Sequence, residues 1–452
     1  MQSGITRRKA VGSLGAAAAG MFLGRPARST VPAPTAPVAI GKCTSYEPSE
    51  LLPALEGMFD KLGGLGRLVK GKTVAIKLNF NGGSTVRLGY HPLGESHWPN
   101  PNLICAVMSL MAKAGVRRVR LVECAPIPWT TPFEEYFLEA NWNVHDFISS
   151  APIVEFENTN YLGSAKKLSR LTVPNGGLLF PAYDLNHSYV DCDVFVSIAK
   201  CKDHGTTGVS TVMKNQFGIT PLLAYGNFAG KWEDNDLVAG IDRIRIIHQG
   251  AGQPAFGAPA ELDPKSPRDD GYRVCRAIAD LVAARPVHLA ITDGVTSMSG
   301  GQTPNPSLTF VKPNWIVAGT NVVNTSAVTM AAMNYNPMGQ KGEMPFNRCD
   351  NKLRLAEQLG VGTCDLSQIE VVGRSIKEVA FDFKTLREKR PAGFDGFGGF
   401  GGRRGRGGAP GGSPDGPPGG RRPDGPPDAP PGGRPDGPPD APPAGPPMRR
   451  EN

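Results

Sequence analysis

The run Asp193–Ala199, DVFVSIA, constrains the fold more than any other stretch of the chain. Its apolar residues do not alternate with polar ones, and it is too short for a buried helix. Such a run forms a strand covered on both faces, as in a parallel sheet packed between helices. Other segments repeat the theme: TVAIKLNF at Thr73–Phe80, RVRLVE at Arg118–Glu123, VHLAIT at Val287–Thr292, Trp315–Gly319, and a short last strand at Ile369–Val372. Helical stripes lie between them. Leu51, Leu55, Met58, Phe59 and Leu62 share one helix face. Asn100-Pro101 starts a second helix, with Asn capping and Pro in the first turn, which ends at Gly115. Tyr272–Arg285 is a third. The β-α-β-α rhythm predicts an α/β fold, a layered α/β/α domain with a mostly parallel sheet.

The ends of the chain differ from this middle. Residues 1–30 carry Thr6-Arg7-Arg8-Lys9 before AVGSLGAAAAGMFLG, a soft apolar run too short for an ordinary membrane span. This pattern reads as a twin-arginine signal, which implies the twin-arginine export machinery as a partner and a periplasmic or secreted location. No later stretch is apolar and long enough to span a membrane. Residues 31–41 read as a linker and 42–390 as the folded domain. From Pro391 the composition shifts: 19 Gly and 17 Pro stand among the last 62 residues, and PDGPP recurs at Pro414, Pro423 and Pro435. That composition buries too little apolar surface to order itself, so a disordered tail is expected. The formal charge of +8 falls to +2 for the middle once the five cations of the leader and the single net positive charge of the tail are set aside. A basic pI is therefore no argument for a nucleic-acid partner.

Eight cysteines include no C-x-x-C pair and no cluster spacing, which argues against a zinc ribbon or an iron–sulfur centre. Cys105 and Cys275 lie in apolar helical patterns and read as core residues; export leaves a disulfide or two open among the rest.

Ligands in open α/β sheets bind outside the carboxyl ends of the strands. Here those ends are polar: Lys77 and Asn79, Glu123-Cys124, Lys200 through His204, and Asp293. Lys200, Lys202, Asp203 and His204 read as a turn after the strand, and Gly205–Gly208 as a turn whose free N–H groups open a helix presenting Lys214 and Asn215. Four lysines against three acids favour a small anionic ligand. Lys202, His204 and Lys214 are the catalytic candidates, since crowded, desolvated lysines lose basicity and His204 could shuttle a proton. Lys77, Asn79, Glu123, Lys200, Asn215 and Asp293 are the ligand-binding candidates. No cofactor is identified. A metal remains open, with His91, His97 and His204 as the candidate ligands.

These residues carry a resemblance. VAIKLNF, KAGVRRVRLVE, DVFVSIAKCKDHGTTGVSTVMKNQFG and ITDGVTSMSGG resemble the bacterial and archaeal family called domain of unknown function 362, over about residues 70–375. The most specific mark is Lys-x-Lys-x-His, a Thr-Gly turn, then Lys-Asn-x-x-Gly; here Lys200, Lys202, His204, Thr207, Gly208, Lys214, Asn215 and Gly218. The resemblance implies a fold and a site, not an established reaction. The family's association with iron–sulfur segments does not transfer, because the cysteine run is missing. Asn321 and Asn324 stand where the family usually has two Asp, so any cation binding or acid role of those Asp is lost or altered here. A charged insertion around Gly226–Asp270 is expected to form a lid. Two readings follow: an exported enzyme acting on a small anionic or carbonyl substrate, or a periplasmic ligand- or cofactor-binding module without catalysis. An interaction protein that works through its tail is a third.

Overall fold

The computed structural model describes residues 33–81, 88–124, 133–226, 243–255, 257–301 and 308–388. The expected signal, the Gly/Pro-rich tail and part of the expected 226–270 insertion lie outside the described residues.

The fold is α/β, built on a mostly parallel sheet. The strands are β1 (Val38–Lys42), β2 (Thr73–Lys77), β3 (Arg118–Glu123), β4 (Val154–Asn158), β5 (Ser169–Thr172), β6 (Ala182–Leu185), β7 (Val194–His204), β8 (Gly208–Ser210), β9 (Leu289–Ser299), β10 (Thr309–Val311), β11 (Trp315–Gly319) and β12 (Val371–Gly373). The main sheet runs β12-β1-β11-β9-β7-β2-β3-β4, while β5 and β6 form a separate hairpin. From β9 to β4 every neighbour is parallel; β11 enters antiparallel to both β9 and β1.

The apolar run in β7 explains its place. Phe195 and Ala199 face one core, whereas Val194, Val196 and Ile198 face the other. Burying each of the larger side chains contributes about 1.5–3 kcal/mol. The helices Pro48–Lys61 and Pro101–Lys113 cover the second core, and Asp270–Ala284, Val322–Ala332 and Lys352–Gln358 cover the first. Local signals set their limits. Asn100 accepts the Asn102 N–H at 2.9 Å, Pro101 follows, and Gly115 leaves the helix at φ +85°. Asp269 caps the Asp270–Ala284 helix through the Tyr272 N–H at 2.9 Å.

Three expectations change. The chain enters the sheet at Val38, inside the segment read as linker, because Val38, Ala39 and Ile40 are buried between β11 and β12. β7 does not stop at Ala199. It continues through His204, held by β9 and then by β8, so Lys200–His204 is strand rather than turn. No α-helix follows Gly208 either: Gly208–Ser210 is strand, and Lys214–Ile219 is a 3-10 turn.

All eight cysteines are free, with Cys275 buried and Cys105 half-buried. Among the described residues, no helix is long and apolar enough to cross a membrane.

Candidate anion site at the strand ends

Strand alternation puts Lys200, Lys202 and His204 on one face of β7, where the strand projects past the sheet edge with β9 beside it. The ends of β2 and β3 arrive from one side and that of β9 from the other.

Two buried ion pairs frame the site. Lys200 Nζ donates to Asp293 Oδ2 at 2.7 Å, to Tyr46 Oη at 2.8 Å and to the Gly94 carbonyl at 3.0 Å. Asp293 also accepts from Tyr46 Oη at 2.7 Å and from the Asn100 N–H at 3.0 Å. Lys77 pairs with Glu123 and also donates to the Leu78 carbonyl at 2.5 Å. Glu123 takes the Phe80 and Cys124 N–H groups at 2.7 and 2.8 Å. Burial lowers the pKa of both lysines, while their carboxylates pull the other way. Asn215 braces this frame. Its Oδ1 faces Lys77 at 3.3 Å, and its amide protons reach Ser197 Oγ at 3.0 Å and the Lys77 carbonyl at 3.2 Å. Gly218 packs alongside: a Cβ there would stand 3.0 Å from Lys77 Nζ, so the lysine tip would have to give way. Lys77, Lys200, Glu123, Asp293 and Asn215 thus spend their polar atoms on one another. Expected as ligand-binding groups, they form the frame around the site.

Lys202 is different. Its neighbours are uncharged oxygens: Asn79 Oδ1 and Asn81 Oδ1, both at 3.3 Å, and the His97 carbonyl. Burial first, then Lys214 and Lys200, push its pKa well below the usual lysine value. Lys214 is half-buried, with Nζ 5.4 Å from the centre of the Phe217 ring. It makes no ion pair among the described residues. Burial, then Arg243, Lys352 and Lys77, bring its pKa down to about 7.

His204 is buried, and its Nδ1 accepts the Thr206 and Thr207 N–H groups, each at 3.2 Å. The N–H groups expected to bind an anion are therefore used within the turn. Burial and the surrounding cations hold His204 neutral, its pKa far below the usual value, so it is poorly suited to taking up a proton. Asp203 faces the other way, accepting from Tyr335 Oη and Ser299 Oγ, both at 2.7 Å.

The three histidines do not assemble as a ligand set. His91 stacks on Phe310 at 3.9 Å, against a groove of 530 Å³ lined by Leu88, Tyr90 and Leu308, while His97 is buried beside Lys202. Among the described residues, no group of three or more His, Cys, Asp or Glu is placed to hold a metal.

Asn321 and Asn324 lie at the opposite edge of the sheet, because β11 runs antiparallel to β9. Asn321 caps the Val322–Ala332 helix through the Val323 and Asn324 N–H groups at 3.0 and 3.1 Å. Asn324 ties the Thr363 carbonyl to the Ala36 N–H at 2.8 and 2.9 Å. Both roles are structural. The described part of the insertion packs on the core rather than standing free: Arg273 donates to the Ile247 carbonyl at 3.0 Å and pairs with Glu261. The remainder of the expected lid lies outside the described residues.

Two cations escaped the sequence reading. Lys352 Nζ donates to the Thr207 and Val209 carbonyls at 2.7 and 3.1 Å. Arg243 donates to the Thr220 and Cys124 carbonyls at 2.9 and 3.1 Å. Lys352 makes no ion pair among the described residues. Lys352 opens an ordinary amphipathic helix and Arg243 lies in the insertion, so no local signal marked either. Lys202, Lys214 and Lys352 leave the site with an excess of positive charge, which an entering anion would neutralise.

The fold and this cluster define an α/β protein with a cationic site at the carboxyl edge of a parallel sheet. Residues 74–331, more than half of the chain, match the family described as Domain of unknown function (DUF362), and the chain belongs to that family. It is 25% identical over 276 residues to the Thylakoid-associated protein sll1697 of Synechocystis sp., covering 55% of this chain and 75% of the relative. Among solved structures it is similar to a Thermotoga maritima protein at 13% identity, with a TM-score of 0.30, 59% of this chain and 55% of the other being covered. It is also similar to the lactate racemase apoprotein of Thermoanaerobacterium thermosaccharolyticum at 10% identity, with a TM-score of 0.29, covering 61% of this chain and 54% of that one. The chain spans little more than half of each of these two structures, and at those scores the likeness is distant.

Proposed function

We propose that the protein is an enzyme that binds a small anionic or carbonyl substrate at Lys202 and Lys214 and exchanges a proton with it through Lys214. The observation that carries this reading is Lys214, a half-buried cation among Arg243, Lys352 and Lys77 with no carboxylate of its own. Such a group gains more from an incoming oxyanion than a paired lysine does, since the anion replaces a missing partner. A pKa of about 7 also populates both protonation states near neutrality, as a general acid or base requires. Titration of a carboxylate panel into wild type and the Lys214→Met and Lys202→Met variants tests the reading. It predicts about tenfold or greater loss of affinity in each variant. Unchanged affinity and turnover in both would refute it.

A second reading, a ligand- or cofactor-binding module without catalysis, is favoured by the state of the acids. Glu123 and Asp293 are both committed to lysines, which leaves the frame without a spare carboxylate base. Anion binding without turnover of any bound compound would select it.

The Arg7-Arg8 leader supports export by the twin-arginine route to the periplasm or beyond. Arg7→Lys together with Arg8→Lys should retain the protein in the cytoplasm; normal export of that variant would contradict the route.

A further inference from the structure

His97 belongs to this site, where its carbonyl accepts from Lys202 Nζ. The residue is fully buried, and neither ring nitrogen has a hydrogen-bonding partner. Its ring lies within electrostatic reach of Lys202, Lys214 and Lys200. Buried polar atoms in native proteins are almost always satisfied, and an orphaned pair of nitrogens marks a place that something else fills. The groups that act on the ring constrain what that is. Lys202, Lys214 and Lys200 all oppose a positive charge there, so the ring is neutral, with one N–H and one lone pair. The Asn81 main chain lies close enough to favour a proton on the ring without reaching hydrogen-bond geometry. With its N–H turned toward Asn81, the ring offers the other nitrogen as an acceptor. An acceptor calls for a donor on the ligand. An ammonium group would meet the three lysines, whereas a hydroxyl carries no such penalty.

We infer that the ligand is a small oxyanion carrying a hydroxyl group, its anionic end at Lys214 and Lys202 and its hydroxyl donating to His97. The inference rests on the anion reading above and narrows it to one class, hydroxylated carboxylates or phosphates. His97 is then the residue that separates such a ligand from its deoxy analogue. A site built to hydrogen-bond a substrate hydroxyl discriminates strongly against the analogue that lacks it, because the buried acceptor is left unpaired.

Calorimetric titration of the full chain with glycolate and 3-hydroxypropionate, against acetate and propionate, provides the test. Wild type should favour at least one hydroxy acid over its deoxy partner by about tenfold or more. His97→Phe should bring that ratio close to unity. His97→Gln, which keeps an acceptor oxygen, should restore part of the preference and guards against a packing defect in the Phe variant. A wild type that binds both acids equally, or a preference that survives in His97→Phe, overturns the inference and leaves the anion reading standing. A wild type that binds none of the four acids contradicts both.

Discussion

Lys214 Nζ stands over the Phe217 ring, 5.4 Å from its centre. The ammonium meets that aromatic face and makes no ion pair with an internal acid among the described residues.

The first prediction concerns stability against pH. Burial and neighbouring cations lower Lys214 from 10.5 in the unfolded chain to about 7 in the folded one. Between those values the unfolded state binds more protons, so stability rises with pH there and the penalty is full below about 7. Lys214→Met keeps the apolar stem and removes the charge. Thermal melts should show the variant more stable than wild type at pH 6, on the order of a few kcal/mol, with the gain fading toward pH 10. A variant less stable at pH 6 would contradict the burial of an unpaired charge.

Binding should carry the same signature with the opposite slope. A carboxylate ligand stays charged from pH 6 to 9, so its affinity follows Lys214. Affinity should be flat below pH 7 and fall above it, by no more than about tenfold per pH unit for one linked proton. Titrations at half-unit intervals check this, and Lys214→Met should flatten the profile.

The Lys200–Asp293 pair tests the frame. Asp293→Asn strands a fully buried ammonium and should cost about 3–5 kcal/mol in urea unfolding. Replacing both partners, with Lys200→Met and Asp293→Leu together, should recover most of that loss, because two unpaired or mismatched polar groups are removed at once.

The two asparagines at the far edge make a negative control. Asn324→Asp would set a carboxylate against the Thr363 carbonyl and lose the 2.8 Å donation, at a cost of about 1–3 kcal/mol. Asn321→Asp keeps the cap acceptor but loses the 2.8 Å donation to the Val361 carbonyl, so it should cost about 1 kcal/mol. Neither should alter carboxylate affinity, because both residues lie at the opposite edge of the sheet from Lys202.

Much of the fold was legible because β7 and its parallel neighbours carry uninterrupted apolar runs, and because Asn100-Pro101 and Gly115 punctuate a helix in plain view. β1 was hidden: VAIGK follows a Pro/Ala-rich stretch with no strand signal of its own, and pairing with β11 and β12 decides it. The extension of β7 through Lys200–His204 was hidden for a related reason. Charged residues look like a surface turn until β9 and β8 supply partners for their backbone. In the site, the lysines were visible by their place beside apolar residues, but which of them are paired was not. Lys200 and Lys202 are two residues apart in one strand, yet Asp293 neutralises one and only amide and carbonyl oxygens meet the other. Lys352 and Arg243 reach the cluster from distant segments, which local pattern cannot reveal.

The most direct test of the account is a crystal structure of the protein soaked in glycolate. Density for the carboxylate is expected within hydrogen-bonding distance of Lys214 and Lys202, with the hydroxyl against His97. A site without an anion at saturating glycolate, or glycolate held elsewhere, would contradict it.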